Sequence, residues 1–384
     1  MIKAPRGTKD VLPAESYKWH HIENAMRKIC KAFGVCEART PVFEAKELFT
    51  RSVGEVTDVV QKEMYEFTDK GGREVALKPE GTAGIVRMFI ENGLFNNPLP
   101  LKQYYVTNPI FRYEKAQAGR LREHHQFGVE FFGSKSAMTD TEVIMLALSV
   151  LEELGVKDLA LNINSIGCPH CRPKYNKALL EFFGGIKDIL CETCNDRLKQ
   201  NPLRILDCKV AKCQNNLKVA PEISDYLCEE CQEHFEQLKE NLDTLGIKYT
   251  INPRIVRGLD YYTKTVFEII SNTDGFTVCG GGRYDMLIEQ IGGPSTGTVG
   301  FGMGMERLIM VMEGQGIEFP KEEPPKLYIC SMGRESEKYA LRLSYFLKKE
   351  GITCEINHCG RSTKAQFKYA DILLSAIGWC HLHI

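Results

Sequence analysis

Hydrophobic residues recur along this chain with two periods, and each period marks an element. Between 15 and 33, Trp19, Ile22, Met26, Ile29 and Phe33 return at three- and four-residue steps, and Gly34 follows. That spacing predicts an amphipathic helix ending at the glycine. From Glu37 to Phe43 the chain reads as extended, with Pro41 forcing an edge or a bend. MYEFTD and REVALK flank Lys70-Gly71-Gly72 and predict a hairpin across 64–79. Pro79 and Gly81 then break the strand before a helix from about Ala83. Tyr104 to Gly133 predicts a strand, a charged loop and a returning strand. Thr139 to Leu154 predicts a helix with Asp140 or Thr141 near its cap, and LALNINSIG a strand ending at Gly167. TVFEII and FTVCGGGR flank an Asp274-Gly275 turn. GTVGFGMG is a Gly-rich strand leading into a helix that carries Glu306 and Arg307. After a proline-containing linker at 315–325 come KLYICSM, SEKYALRLSYFLKKEG, ITCEINH and STKAQFKYAD. They read as strand, helix, strand, helix, a right-handed parallel unit.

Composition narrows the class. The chain has 384 residues, of which 43% are hydrophobic and 26% charged, as in a soluble globular protein of two or three domains. The most apolar stretch, Val143 to Leu151, falls far short of the ~20 residues a membrane helix needs. The start, MIKAPRGTKD, has no apolar signal core, so a cytoplasmic location is expected. With a net charge of −1, any nucleic-acid surface must come from segregated charge. Residues 321–370 hold ten Lys or Arg against six Asp or Glu, which fits such a surface or an ordinary solvated face.

Cysteine usage changes the picture at residue 168. Eight of the 15 cysteines crowd into CPHC, CETC, CKVAKC and CEEC, separated by charged helical segments. In a reducing compartment such clusters favour metal over disulfide. Two thiolates at CxxC spacing reach one zinc ion with tetrahedral geometry. Cys168, Cys171, Cys191, Cys194, Cys208, Cys213, Cys228 and Cys231 would fill two Zn2+ sites, although sequence fixes no pairing. Unligated thiols in a small helical insert are the alternative.

The candidate chemistry gathers in FRYEKAQAGRLREHHQFGVEFFG, Phe111 to Gly133. Arg112 and Glu114 are two apart, so on a strand they share a face. A cation for phosphate beside a carboxylate for an amine can hold a nucleotide. An ordinary surface ion pair is the other reading. Glu80 and Thr82, at a strand end, can bind a ligand ammonium group or cap the following helix. The glycine triplet 280–282 admits a close backbone approach or a bulge. GFGMGM misplaces the third glycine of a dinucleotide fingerprint, and no GxxxxGK[ST] loop occurs.

Together these stretches resemble one family over nearly the whole chain. PRGTKDVLP resembles the N-terminus of histidyl-tRNA synthetases. TPVFEAKELFTRSVGEVTDVVQKEMYEFTD, FRYE to GVEFFG, and GMGMERL resemble the three class II synthetase motifs in order. RGLDYYT and GGGRYD resemble the two stretches peculiar to the histidine enzyme. The class I hallmarks HIGH and KMSKS are absent. The resemblance implies an α+β fold: a class II antiparallel sheet flanked by helices, with a catalytic domain from 1–167 and 250–318. It further implies a helical Cys-rich insertion at 168–249 and an α/β anticodon-binding domain at 326–384. Because ILLSAIGWCHLHI departs from the family pattern, that last domain is expected to be incomplete, with tRNA charging weakened and adenylate formation retained. The implied partners are L-histidine, ATP with Mg2+, tRNA(His) and a second copy of the chain.

The resemblance also implies residue roles. Arg112 contacts the α-phosphate and Glu114 the adenine amino group, while Arg307 contacts the outer phosphates. Arg120 touches ATP or the acceptor stem. Arg257 sits at the reacting carboxylate and α-phosphate as a fixed cation. Glu80, Gly81 and Thr82, with Gln126, hold the histidine ammonium group. Glu130 accepts from the imidazole, beside Tyr261 and Tyr262. Two alternatives remain: a regulatory paralogue that partners ATP phosphoribosyltransferase in histidine biosynthesis, and a zinc-dependent nucleic-acid-binding module without chemistry. The first typically lacks RGLDYYT and GGGRYD, and the second leaves residues 112–130 and 257–307 unexplained.

Overall fold

The computed structural model describes residues 1–54, 57, 59–115, 119, 121–321 and 323–374. Helix α1 (Ser16–Ala32) opens the ordered chain, and Gly34 ends it with a left-handed φ of 68°. Strand β1 (Cys36–Glu37) follows, then β2 (Phe43–Ala45), α2 (Lys46–Val53) and the hairpin β3 (Glu66–Thr68) and β4 (Glu74–Leu77). Next are α3 (Thr82–Glu91), the long hairpin β5 (Leu101–Phe111) and β6 (Glu123–Phe132), α4 (Ala137–Glu153) and β7 (Leu159–Ser165). The Cys-rich segment forms α5 (Arg172–Gly185), α6 (Glu192–Gln200), α7 (Ala211–Leu217) and α8 (Glu229–Thr244). Then come β8 (Thr250–Ile251), β9 (Thr263–Ser271), β10 (Thr277–Arg283), α9 (Leu287–Ile291), β11 (Thr298–Gly304) and α10 (Met305–Gly314).

Eight strands form one sheet in the order β1-β5-β6-β11-β10-β9-β7-β8, and β2-β4-β3 form a small second sheet. The expected antiparallel character holds through the middle of the large sheet. Its two edges differ: β1 runs parallel to β5, and β8 parallel to β7.

Strand alternation assigns the two sheet faces. Phe127, Val129 and Phe131 of β6 and Val299, Phe301 and Met303 of β11 join the core under α1, α4, α8 and α10. The intervening residues, Gln126, Gly128 and Glu130 on β6 and Gly300, Gly302 and Gly304 on β11, are left for the opposite face. There Ile85, Val86 and Phe89 of α3 pack with Tyr105, Tyr261, Tyr262 and Tyr284. The insert has its own core around Tyr175, Leu179, Phe183, Ile205 and Leu217.

The cap of α4 lies elsewhere than expected. Ser136 Oγ accepts from the Met138 N–H at 3.2 Å. Asp140 is fully buried instead, with Arg283 and His234 on its carboxylate.

Residues 1–319 form one compact unit and 320–384 another. The second contains β12 (Leu327–Ile329), α11 (Arg334–Lys349), β13 (Cys354–Ile356) and α12 (Thr363–Leu374). Its two strands pair in parallel, as the strand–helix–strand pattern requires. No described helix is long and apolar enough to cross a membrane.

Candidate active site

One cleft of about 550 Å³ opens on the glycine-bearing face of the large sheet. Glu80, Thr82, Arg112, Glu114, Gln126, Arg257, Tyr261, Tyr262 and Arg307 all line it. These residues come from the β4–α3 junction, the β5–β6 hairpin, the loop before β9 and the start of α10. Arg120 lies outside the described residues. Strand β5 ends at Phe111, so Arg112 and Glu114 sit in the turn beyond it. The two-residue strand rule therefore does not explain their common direction. Arg112 Nε instead donates to the Pro79 carbonyl at 2.7 Å, which ties it to the segment holding Glu80.

The capping reading of Glu80 holds. Its two carboxylate oxygens accept from the Thr82 and Ala83 N–H groups, each at 2.7 Å. It thus closes the first turn of α3 while facing the cleft. Burial pushes its pKa up, opposed by those two N–H groups and by Arg112. Gly81 is not in the cleft lining. A Cβ there would lie 2.5 Å from the Tyr105 hydroxyl, so the glycine lets that ring close against the start of α3.

Glu130 is not in the cleft lining and is only 1% exposed. Thr82 Oγ1 donates to it at 2.7 Å and Tyr105 at 3.4 Å, and the Tyr284 hydroxyl also donates. Burial outweighs these donors and pushes its carboxyl up to about 8. Tyr261, Tyr262 and Tyr284 pack around it, with ring centroids 4.7 to 6.0 Å apart. Tyr105 and Tyr284 were not picked out from sequence, although strand alternation and the tyrosine of GGGRYD were available signals.

The cations take the other end. Arg257 is paired with Glu268 and lies 5.9 Å from the Tyr262 ring centroid. Its Nε is buried with no partner among the described residues. Arg307 Nη1 donates to the Thr277 carbonyl at 3.2 Å.

Facing glycines make room for these side chains. Gly280 opposes Gly302 across β10 and β11, and Gly282 opposes Gly300. A Cβ at Gly280 would run into the Arg257 guanidinium, one at Gly302 into Gln126, and one at Gly300 into Glu130. The triplet also coincides with a register irregularity after Gly282, which bears out the bulge.

The insert packs against this wall. Arg172 donates to the Tyr262 carbonyl. Arg204 Nη1 donates to the Arg257 carbonyl at 3.0 Å, and Asn201 Nδ2 to Asp260 at 3.0 Å. None of the three carried a sequence signal, because their partners lie 53 to 90 residues away. The eight cysteines resolve into two groups: Cys168, Cys171, Cys228 and Cys231, and Cys191, Cys194, Cys208 and Cys213.

Comparison with known proteins agrees with this geometry. A sequence-family profile described as histidyl-tRNA synthetase matches residues 7–170 and 189–308. A histidine–tRNA ligase of Caldanaerobacter subterraneus is 57% identical over 375 residues, covering 97% of this chain and 90% of that protein. One from Clostridium perfringens is 56% identical over 371 residues, covering 96% and 89%. The crystal structure of apo Staphylococcus aureus histidyl-tRNA synthetase superposes with a TM-score of 0.80 at 41% identity, covering 97% and 89%. A Bacillus halodurans ATP phosphoribosyltransferase regulatory subunit/histidyl-tRNA synthetase shares the fold, with a TM-score of 0.69 at 22% identity over 96% of both chains. The chain belongs to the histidyl-tRNA synthetase family.

Proposed function

We propose that this cleft holds histidine and ATP end to end, with carboxylates and tyrosines at the amino-acid end and arginines at the phosphate end. The activity is ATP-dependent attachment of L-histidine to tRNA(His) through histidyl-adenylate. In the first step the histidine carboxylate attacks the α-phosphorus and pyrophosphate leaves. Two anions must meet, and negative charge grows on the α-phosphate oxygens, so fixed cations do most of the work. Arg257 and Arg112 take the α-phosphate and reacting carboxylate, and Arg307 the outer phosphates. Arginine suits this because its planar fork stays charged and binds two oxygens. Glu114 accepts from the adenine amino group. Arg120 is assigned to ATP or the acceptor stem. ATP brings magnesium, which would neutralise phosphate charge when bound, and Glu268 in the cleft lining is an oxygen donor of the kind that ion accepts.

At the other end, Glu80 and Thr82 receive the ammonium group with Gln126, and Gly81 makes room for the Tyr105 ring beside them. Glu130 answers the imidazole, beside Tyr261 and Tyr262. A site built to hydrogen-bond the imidazole rejects isosteres lacking N–H, by on the order of 10⁴-fold.

The same reading assigns residues 1–167 and 250–318 to catalysis, 168–249 to an insertion that binds zinc, and 326–384 to anticodon contact. It also places the protein in the cytoplasm as a homodimer. Exposed Val42, Phe43 and Phe67 on the small sheet support a covered face there.

The convergence of Arg112, Arg257 and Arg307 with Glu80 in one cleft carries this reading. Amino-acid-dependent ATP–pyrophosphate exchange across all twenty amino acids tests it. Histidine alone is expected to support exchange. No exchange with any amino acid would instead favour a regulatory role.

A further inference from the structure

We propose that two tetrathiolate zinc sites clamp the insert onto the 257–262 loop and so set the position of Arg257 and Tyr262 for histidine activation. The proposal rests on the zinc and histidine-activation readings above and deepens both. In each cysteine group the four sulfurs lie within 4.8 Å of one another. The Cys168–Cys171 and Cys168–Cys228 sulfurs are 3.7 and 3.8 Å apart, and those of Cys191 and Cys208 are 3.8 Å apart. Four sulfurs at about 2.3 Å from one zinc ion define a tetrahedron with edges of about 3.8 Å. A disulfide would bring the sulfurs to about 2.05 Å. Backbone N–H groups of Cys228 and Cys191 donate to Cys171 and Cys213 sulfurs at 3.1 and 3.2 Å, as supports of thiolate ligands do.

Each group is joined to the catalytic loop through a short piece of chain. Arg172, which reaches the Tyr262 carbonyl, follows Cys171 directly. Asn201 and Arg204 lie between Cys194 and Cys208 and hold Asp260 and the Arg257 carbonyl. Val256 packs into the insert core, which itself contains Cys194, Cys208 and Cys213. Asp207 and Lys209, on either side of Cys208, line the cleft. A core this small gains much of its order from a bound metal. Release of the second ion would free the 201–208 segment and with it two anchors of the loop.

Elemental analysis of the purified full chain is expected to give two zinc ions per chain, and cobalt substitution a tetrathiolate spectrum. The double variant Cys208→Ser/Cys213→Ser is expected to retain one zinc and to lose about 100-fold in histidine-dependent exchange. Arg204→Gln keeps both zinc ions and separates anchoring from metal binding. Its kcat for exchange is expected to fall on a similar scale with KM for ATP unchanged, and Arg204→Lys to restore part of it. Iron or no metal in a folded, histidine-active wild type would overturn the zinc assignment. Two zinc ions with parental exchange kinetics in Arg204→Gln would overturn the clamp while leaving the metal sites standing. A zinc-loaded wild type without histidine exchange would instead strike the activation reading.

Discussion

At the scale of single residues, the two carboxylates of the proposed amino-acid end are held by different means. Glu80 is fixed by backbone N–H groups and Glu130 by hydroxyls, and burial outweighs the donors at both and pushes their pKa up. Burial dominates at Glu130 and lifts it from 4.5 to about 8. Between those values the folded chain keeps a proton that the unfolded chain has released. Stability attributable to Glu130 therefore falls as pH rises through that window. Glu130→Gln is expected to flatten this slope, measured by chemical denaturation at acidic, neutral and mildly alkaline pH. An unchanged slope would mean the side chain titrates normally. At the proposed phosphate end, Arg257→Ala is expected to abolish histidine-dependent exchange while circular dichroism stays parental. Near-normal exchange would remove its catalytic role. Gly280→Ala is a subtler form of the same test. It leaves Arg257 in the sequence but puts a carbon where its guanidinium lies, so exchange should fall with the arginine intact.

At the scale of elements, α4, β10 and α8 are joined by one buried network. Arg283 has no exposed side-chain surface; it pairs with Asp140 and Asp285 and donates to the Ser134 and Ser136 carbonyls. His234 and Thr265 each meet Asp140 at 2.6 Å. Burial works against the Asp140 carboxylate, but Arg283 and His234 outweigh it and hold its pKa below the usual range. Removing one partner strands the other charges, so Arg283→Met should destabilise by about 3–5 kcal/mol in urea unfolding. This network also marks what a single sequence leaves out. The helix at α1, the hairpin around Gly72 and the β10–β11 glycines were legible because turns and periodicities are local. Asp140 read as a helix cap because its partner Arg283 stands 143 residues away. The cysteine spacing named zinc-like pairs, yet Cys168 belongs with Cys228, 60 residues on, rather than with nearer Cys191. Only the fold decides which distant pairs meet.

At the scale of the whole molecule, residues 1–319 contain every described member of the cleft, and the described residues beyond 319 form a separate unit. Removing 320–384 is therefore expected to leave histidine-dependent exchange near parental while transfer to tRNA weakens. Equal loss of both would tie the second unit to adenylate formation. Within the larger unit, the floor of the cleft is made of backbone over which other residues' side chains lie. Glycine codons begin with two fixed bases, and changing either replaces glycine with a bulkier residue or a stop. At positions 280, 300 and 302 every coding single-base error thus inserts atoms where Arg257, Glu130 or Gln126 stands. A mutational scan of the gene should find these three codons, none of which contributes a reactive group, as intolerant as those of the side chains they accommodate.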